Sequence, residues 1–525
     1  MRGAPAQSER AQGACQAVRA VGDAQGLPSP RDAAEAHSLM ADAEGEAGEW
    51  LDKAARLETA VNGLRRNRPL MSADVLITRP QRSLATALIL AAAALVIAAP
   101  HQAGLLALAI FALPFFSITL LRLAALWQLM GKERRSPRAH HPDVQEQTDA
   151  WPAYTVIVAL YREAEVAAKL VEAIARLAYP ADRLQILFVT EEDDEATRRA
   201  LHTAPLSRNM RVLSVPAGQP RTKPRALNYA LTYATGEIVA VYDAEDVPDP
   251  GQLKMAAHAF GTFHANLACV QARLDIYNPH DTFFTRQFTL EYAALFFAML
   301  PAYERFGLPL PLGGTSNHFS RAVLEQAGGW DAFNVTEDAD LGLRLARLGF
   351  KVAVIASDTW EEAPATFTQW FWQRTRWIKG WMQTYLVHMR DPVRLFRDLG
   401  LAAFVGFQMI FGGLILSALV HPIFYTLLAY QALHQGAFSG SLSEWQAAMW
   451  ALCAFNIVMS YASAMILSTL CARRRQKRHL ARATLGLPVY WLMISAAAYS
   501  ALAELIRRPH HWAKTSHTGA GRDSV

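Results

Sequence analysis

The sequence predicts an α/β protein: a mostly parallel sheet with flanking helices, inserted between transmembrane helices. In residues 150–365, short β-branched apolar runs alternate with amphipathic stretches, which is typical of a buried parallel sheet. On both sides of this region lie apolar runs long enough to cross a bilayer. The predicted strands are Tyr154–Leu160, Leu184–Val189, Met210–Val215 and Ile238–Tyr242, and two of the predicted helices are Ala164–Leu177 and Arg225–Ala234.

Composition excludes several other classes of protein. The chain has 525 residues, 52% of them hydrophobic, and its net charge of +5 is too small to indicate a nucleic-acid partner. The four cysteines lack CxxC spacing, so neither a disulfide framework nor a zinc site is expected. The first 30 residues have no apolar core, and no cleaved signal is expected. Residues 1–80 are expected to form a polar, mobile cytoplasmic extension without chemistry.

Two apolar runs, Leu84–Ala99 and Leu105–Met130, predict a transmembrane hairpin over residues 81–132, with a turn at Pro100–Gly104. The alternative is a buried helical hairpin in a soluble protein. Basic residues flank both ends of the pair and favour the membrane. By the positive-inside rule, both ends and the following domain are cytoplasmic, at the inner (plasma) membrane.

The second half of the chain predicts interfacial amphipathic helices over residues 366–395 and three more apolar runs within 400–506. The basic segment Arg473–Arg482 should be cytoplasmic, and residues 434–444 should face the other side. If the last run, Leu485–Ile506, also spans, the basic tail 507–525 lands outside, against the rule. Either this run is re-entrant or interfacial, or the rule is broken; we favour the first interpretation.

Three carboxylates, Asp243, Glu245 and Asp246, follow the predicted strand that ends at Tyr242. Ligands of parallel sheets bind outside the carboxyl ends of the strands. Hard divalent cations prefer carboxylate oxygens, and Mg²⁺ commonly combines one or two of them with substrate phosphates. The cluster therefore predicts a site for Mg²⁺ or Mn²⁺ with a diphosphate. The alternative is an ordinary acidic turn, which the nearby prolines support.

Thr336, Glu337 and Asp338 precede a predicted helix, Ala339–Leu348. Threonine is a good N-cap and acidic residues are favoured in a first turn, so a plain helix start also explains them.

A tryptophan-rich segment over residues 370–381 follows. If it is helical, Gln373, Arg376 and Trp377 share one face. The arginine can meet a phosphate and the indole offers a flat surface to a sugar. The alternative is a purely anchoring helix at the membrane interface.

Taken in order, these motifs resemble the D…D-x-D…TED…Q-x-x-R-W pattern of processive family 2 glycosyltransferases, such as cellulose, chitin and hyaluronan synthases. The resemblance covers residues 150–390 and implies that the predicted sheet has the GT-A-type fold. It implies that Asp338 is the catalytic base and that Asp243 and Glu245 hold the metal. Glu245 replaces the family's second aspartate, which leaves open whether Glu245 or Asp246 completes the site. The resemblance further assigns nucleotide binding to Tyr161, Glu163, Glu191, Lys223 and Arg376, and acceptor binding to Asn317, His318, Gln373 and Trp377.

The implied function is a membrane-embedded, inverting hexosyltransferase. It would polymerise a β-glucan or an N-acetylglucosamine polymer from a UDP-sugar and translocate the product, and segment 512–515 of the tail would resemble the family's gating loop. The implied partners are the UDP-sugar, a growing glycan or lipid acceptor, the bilayer and secretion subunits, with no nucleic acid. A second hypothesis is transfer of a single sugar to a membrane lipid. A third is a scaffold or transporter without activity.

Overall fold

The computed structural model describes residues 51–133, 151–262, 266–431, 433 and 444–512. The chain divides into two compact units, residues 1–59 and 60–525. Of the first unit, residues 51–59 are described and are helical. The architecture below belongs to the second unit.

Two long apolar helices precede the sheet, α1 (Arg79–Ala98) and α2 (Pro100–Glu133). Thr78 and Gln81 form a capping box that begins α1. The helix is strongly apolar, yet none of its residues is buried by protein, an arrangement that suits a lipid environment. The predicted turn at Pro100–Gly104 is wrong, because Pro100 already begins α2, at a position where its fixed φ favours a helix.

One sheet of eight strands forms the centre of the molecule, in the order β3-β2-β1-β4-β7-β6-β8-β5. Four of its seven pairings are parallel, as the predicted mostly parallel sheet requires. All four predicted strands are confirmed, and only β2 runs further than expected. The strands are β1 (Tyr154–Leu160), β2 (Leu184–Glu191), β3 (Met210–Val215), β4 (Ile238–Tyr242), β5 (Val247–Pro248), β6 (Leu267–Ile276), β7 (Asn317–Ser320) and β8 (Lys351–Glu361).

Helices cover this sheet, and a buried apolar core fills the space beneath them. The core includes Val156 and Val158 of β1, Phe188 of β2 and Ile174, all almost inaccessible to solvent. The covering helices are α3 (Ala167–Ala175), α4 (Glu195–Thr203), α5 (Lys223–Leu231), α6 (Gln252–Thr262), α7 (Phe283–Ala294), α8 (Leu300–Arg305), α9 (Arg321–Ala327) and α10 (Glu337–Arg347).

The strand order creates a natural binding crevice. Both β2 and β4 lie parallel to β1, on opposite sides of it. The winding of the chain therefore changes direction at β1, and ligands of such sheets bind at this switch point, outside the carboxyl ends of the strands.

After the sheet come α11 (Phe367–His388), α12 (Pro392–Phe407), α13 (Gly413–Gln431), α14 (Glu444–Arg474) and α15 (Leu487–Arg507). A π-helical turn, Gln408–Gly412, joins α12 to α13. Over the described part of the chain, five helical segments are long and apolar enough to cross a membrane. They are Arg79–Ala98, Gln102–Gly131, Pro392–Thr426, Ala447–Arg474 and Arg478–Arg507.

Helix α15 runs alongside α11. Near its start, Tyr490 accepts a hydrogen bond from Trp370 Nε1 (3.0 Å). Near its end, Glu504 pairs with Lys379 (2.7 Å). Beyond α15, the Pro509 carbonyl accepts a hydrogen bond from Gln383 at 3.0 Å. Both ends of α15 therefore meet α11, the helix that follows the strand β8 in the chain. Residues 434–443 of the predicted loop 434–444, and residues 513–515 of the predicted gating segment, lie outside the described residues.

Candidate active site

A cavity of about 250 Å³ opens at the carboxyl ends of β1, β2 and β4, with the start of α10 and one face of α11 as its other walls. The structure brings ten of the twelve predicted site residues to this cavity. They are Tyr161, Glu163, Glu191, Lys223, Asp243, Glu245, Asp338, Gln373, Arg376 and Trp377.

Lys223 is the cation at the centre of the cavity. It begins α5, and its Nζ lies 2.5 Å from Asp243 Oδ1 and donates to the Gly314 carbonyl at 2.7 Å. Burial disfavours its charged form, but attraction to Asp243, Asp338 and Glu337 outweighs that cost, so the pKa of Lys223 lies above its ordinary value. Lys223 therefore stays protonated and is placed to neutralise a phosphate.

Gly314 leaves a space between two carboxylates. A Cβ atom at this position would lie 3.8 Å from Asp338 Oδ2 and 3.9 Å from Asp243 Oδ2. The side chain that glycine lacks would project toward both oxygens. Because the two carboxylates border one small volume, a group bound at Asp243 and a hydroxyl at Asp338 would be close enough to react.

Asp338 is the more enclosed of the two carboxylates. Its Oδ1 is buried and has no hydrogen-bond partner within the described chain. Burial and the neighbouring Glu337 raise the pKa of Asp338 well above its ordinary value. A carboxylate with a raised pKa is a stronger base. Thr336 occupies the N-cap position of α10, but its side chain makes no capping bond. Helix capping therefore does not explain the threonine of this motif, which weakens the alternative that Thr336, Glu337 and Asp338 only begin a helix.

Glu245, and not Asp246, faces the cavity beside Asp243. Asp246 is fully buried, where it accepts hydrogen bonds from the Asp243 amide (2.6 Å) and the Thr315 hydroxyl and so holds the turn together. Burial and the charge of Asp243 raise the pKa of Glu245 to about 8. Within the described residues, no three His, Cys, Asp or Glu side chains are grouped for a metal. The protein thus offers two mutually repelling carboxylates, which fit a divalent cation that phosphate oxygens complete.

Two of the predicted nucleotide contacts already have partners in the protein. Glu191 forms a buried ion pair with Arg225 of α5. Tyr161 accepts a hydrogen bond from Arg221 (3.0 Å), which also pairs with Asp193 (2.7 Å). These contacts fix the ends of β1 and β2 relative to α5 and the segment that leads into it. Tyr161 and Glu191 therefore border the cavity with their side chains already held by the protein.

Helix α11 presents its predicted face to the cavity. Gln373, Arg376 and Trp377 all line it, as does Trp381 one turn further on. Arg376 donates to the Val335 carbonyl at 3.3 Å, whereas its Nε is buried without a hydrogen-bond partner in the described chain. The guanidinium also lies 5.7 Å from the ring centre of Trp512. A buried donor of this kind suits an anionic ligand.

The acceptor role predicted for Asn317 and His318 needs correction, because neither side chain lines the cavity. Both belong to β7, between β4 and β6, and both are fully buried. Asn317 donates to the Gly313 carbonyl at 2.5 Å, and the His318 ring bonds to the Tyr154 hydroxyl at 2.6 Å. Burial lowers the pKa of His318 to about 3. The loop just before β7, over residues 313–315, reaches the cavity instead.

Several cavity residues escaped the sequence prediction. Glu361 ends β8, in which buried and more exposed residues largely alternate, as is typical of a strand. Burial, together with the charge of Asp246, raises the pKa of Glu361 well above its ordinary value. Aromatic side chains form another wall of the cavity. Two of them, Phe288 and Tyr292, lie four residues apart on α7, a helical spacing that is visible in the sequence. The wall consists of Phe288, Tyr292, Phe296, Trp377 and Trp381.

Comparison with known proteins identifies the fold that carries this cavity. Residues 152–380 match the sequence profile of the family described as "Glycosyltransferase like family 2". Residues 152–380, less than half of the chain, are thus similar to family 2 glycosyltransferases, and we refer to them as the family 2 domain. The domain contains every strand of the sheet and the carboxylates Asp243 and Asp338, so the cavity is its candidate active site.

Relatives of the family 2 domain include "Probable glycosyltransferase YdaM" of Bacillus subtilis, 27% identical over 54% of this chain and 70% of that protein. Another is "Beta-monoglucosyldiacylglycerol synthase" of Synechocystis sp. PCC 6803, 29% identical over 46% of this chain and 50% of that protein. The chain thus spans about half the length of such synthases. A solved structure, the mannosyltransferase PcManGT of Pyrobaculum calidifontis with GDP-Man and Mn²⁺, has TM-score 0.48 and 21% identity, covering 76% of this chain and 99% of that one.

Gly380 sets how closely α11 approaches the start of α10 in the family 2 domain. A Cβ atom at Gly380 would lie 2.2 Å from Thr336 Oγ1 and 2.7 Å from Thr336 Cβ, so no rotation of the threonine relieves the clash. We expect Gly380→Ala to cost about 1–3 kcal/mol of unfolding free energy and to lower activity by displacing Asp338. Thermal unfolding and initial rates measure both effects. Gly251→Ala, which meets no atom within 4 Å, is the matched control and should leave both unchanged; equal behaviour of the two variants would contradict this account.

Proposed function

We propose that the protein transfers a single hexose from a UDP-sugar to a lipid acceptor in the membrane, with inversion of the anomeric carbon. The observation that carries this proposal is the joint placement of Asp243, Lys223 and Asp338 around one cavity whose remaining wall is aromatic. The similarity to two β-monoglucosyldiacylglycerol synthases supports a diacylglycerol-type acceptor. The apolar helices beside the domain support an acceptor that is delivered from a bilayer.

In the proposed reaction, Asp338 accepts the proton of the acceptor hydroxyl as its oxygen attacks the anomeric carbon of the sugar. The new carbon–oxygen bond forms while the bond to the diphosphate breaks, and UDP leaves. Lys223 and the unsatisfied donor of Arg376 stabilise the negative charge that develops on UDP. Asp243 and Glu245 would hold a divalent cation, Mg²⁺ or Mn²⁺, which supplies further charge neutralisation at the diphosphate.

The membrane helices support single transfer over polymerisation. A translocating enzyme needs an open polar path for its glycan. Between α2, α13, α14 and α15, polar and aromatic side chains satisfy one another: the Arg122 guanidinium lies 4.8 Å from the Trp491 ring centre, and Trp491 stacks on Tyr461 at 4.5 Å. Tyr461 also bonds to His421 at 3.1 Å. Side chains of the protein itself therefore occupy the space between these four helices.

We further propose that α15 lies in the membrane interface and does not cross the bilayer. Its pairing with α11 along its length, and the contacts of Tyr490 with Glu291 and of His510 with the Phe333 carbonyl, support this placement. The tail would then begin on the side of the catalytic domain, in agreement with the positive-inside rule. Trp512 would close one edge of the cavity.

The proposed function is tested by acceptor dependence. Purified protein in lipid nanodiscs is supplied with Mn²⁺ and a panel of UDP-hexoses, and UDP release is followed with and without diacylglycerol. We expect release to require both one donor and the lipid. Release that depends on added oligosaccharide instead of lipid, or no UDP binding at all, would overturn the proposal in favour of polymerisation or of a non-enzymatic role.

The carboxylate cluster predicts an unusual pH dependence. The pKa of Asp338 is raised by burial and by Glu337, and the pKa of Glu245 is raised to about 8 by burial and by Asp243. Both carboxylates act in their ionised forms, so kcat/KM should fall as the pH decreases through their raised pKa values. The decline should therefore start near pH 8, far above the ordinary carboxylate range of about 4. A rate profile that stays flat down to pH 5 in folded protein would contradict these assignments.

A further inference from the structure

A second cavity, of about 360 Å³, lies among the membrane helices. It is a groove between α2, the C-terminal part of α11 and the π turn that leads into α13. Its rim includes Leu113, 61% exposed, and Leu416, 37% exposed, both on segments apolar enough to cross a membrane. Large exposed apolar side chains on such helices face lipid, so the groove opens sideways toward the bilayer.

The floor of this groove is polar, which is unusual at such a position. The Tyr385 hydroxyl donates to Gln408 Oε1 at 2.7 Å, and Gln408 belongs to the π turn. Single π turns inside helices are frequent at functional sites. Polar side chains within apolar spans are costly and tend to mark ligand paths. Gly412 completes the floor, where a Cβ atom would lie 3.1 Å from the Tyr385 ring. Apolar walls with a polar floor match a lipid chain next to its ester or hydroxyl region.

The groove adjoins the catalytic cavity. Trp377, Trp381 and Tyr385 follow one another at four-residue intervals on α11 and therefore share one face. The first two line the catalytic cavity and the third lines the groove. Trp381 also packs against Phe411 of the π turn, with ring centres 4.6 Å apart. The catalytic cavity and the groove are thus about one helical turn apart along α11, or about 5.4 Å, and the Trp381–Phe411 contact separates them.

We infer that this groove binds an acyl chain of the lipid acceptor, while the acceptor hydroxyl passes Trp381 to reach Asp338. The inference rests on the proposed function and adds the acceptor site to it. The occupant is a bilayer lipid because the groove opens on the lipid-facing side. A lipid bound in the groove can act as the acceptor because the polar floor holds its ester or hydroxyl region one helical turn from the catalytic cavity.

Filling the groove tests the inference. Gly412→Leu places a branched side chain against Tyr385 and into the groove, and Ser117→Phe fills it from α2. We expect both variants to raise KM for long-chain diacylglycerol about tenfold or more, with UDP affinity unchanged. Activity toward a short-chain, water-soluble acceptor should be retained. Val458→Trp, at a lipid-facing site on α14 that is 63% exposed, is the control and should behave as wild type.

A labelling experiment remains informative if a variant fails to fold. Wild-type protein in nanodiscs is irradiated with diacylglycerol that carries a diazirine in one acyl chain, and labelled peptides are mapped. We expect label on residues 113–117 and 412–416, reduced by excess unmodified diacylglycerol. Uniform labelling of all lipid-facing helices, or labelling unaffected by competitor, would overturn the groove assignment while wild-type lipid glycosylation persists. Absence of any lipid glycosylation by wild type would instead mean that the proposed function has failed.

Discussion

Asp338→Asn is expected to lower kcat by about 10²–10⁴-fold, the usual contribution of a positioned general base, and to leave UDP binding intact. The amide is nearly the same size but accepts no proton. Because burial and Glu337 raise the pKa of Asp338, its ionised form costs folding free energy at neutral pH, and the neutral amide removes that cost. The variant should therefore unfold at the same or a higher temperature. Single-turnover rates, UDP titration and thermal unfolding provide the three measurements.

The control for this substitution is Asp182→Asn, a surface carboxylate with 82% of its side chain exposed, which should match wild type throughout. Loss of activity accompanied by loss of UDP binding or by a lower unfolding temperature would assign Asp338 a structural role. Full retention of activity would remove it from the mechanism.

Asp243→Asn is expected to weaken UDP-sugar binding at least about tenfold, equal to about 1.4 kcal/mol. The change also removes the stimulation of binding by Mn²⁺. Asp243 is the ion-pair partner of Lys223 at 2.5 Å, and with Glu245 it forms the pair of carboxylates that fits a cation. Its loss removes the carboxylate that attracts Lys223 most strongly, ahead of Asp338 and Glu337. Isothermal titration with UDP, with and without Mn²⁺, measures both effects.

The matched comparison for Asp243→Asn is Asp338→Asn, which should leave the response to Mn²⁺ unchanged. Opposite behaviour, with Mn²⁺ dependence lost at Asp338 and kept at Asp243, would exchange the two roles. Unchanged UDP binding in the Asp243 variant at every Mn²⁺ concentration would contradict the proposed cation site.

The first half of the sheet was predictable because parallel strands buried on both faces leave continuous apolar runs, as in Ile238–Tyr242. The polar residues that follow those strands were predictable as site residues for the same reason. The short strands β5 and β7 have two and four residues, too few for any periodicity to indicate them. They exist because longer strands pair with them, which is a tertiary effect.

The misplacement of Asn317 and His318 has the same physical cause. The chain leaves the cavity wall at Thr315 and enters β7 two residues later, and only pairing with β4 and β6 decides where that change occurs. By contrast, the face of α11 with Gln373, Arg376 and Trp377 follows from helical spacing alone. Local geometry is readable in a sequence, whereas pairing partners are set by the whole fold.

The sequence motifs also favoured polymerisation over single transfer, and the comparisons support the second hypothesis better. The motifs carry little information on this choice, because the roles proposed for Asp243, Lys223, Asp338 and Arg376, in donor binding and proton transfer, would be the same in either reaction. We propose that the difference lies in the apolar helices, in contacts such as Tyr461 with Trp491 that depend on which faces of separate helices meet. Periodicity within one helix does not determine those contacts.

Mass spectrometry of the lipid product tests the central claim most directly. Wild-type protein in nanodiscs with diacylglycerol, Mn²⁺ and the preferred UDP-hexose is allowed to react to completion, and the lipid fraction and the aqueous fraction are both analysed. We expect one product, a lipid that carries a single β-linked hexose, and no free glycan. A ladder of longer glycans in either fraction, or an α-linked product, would contradict it.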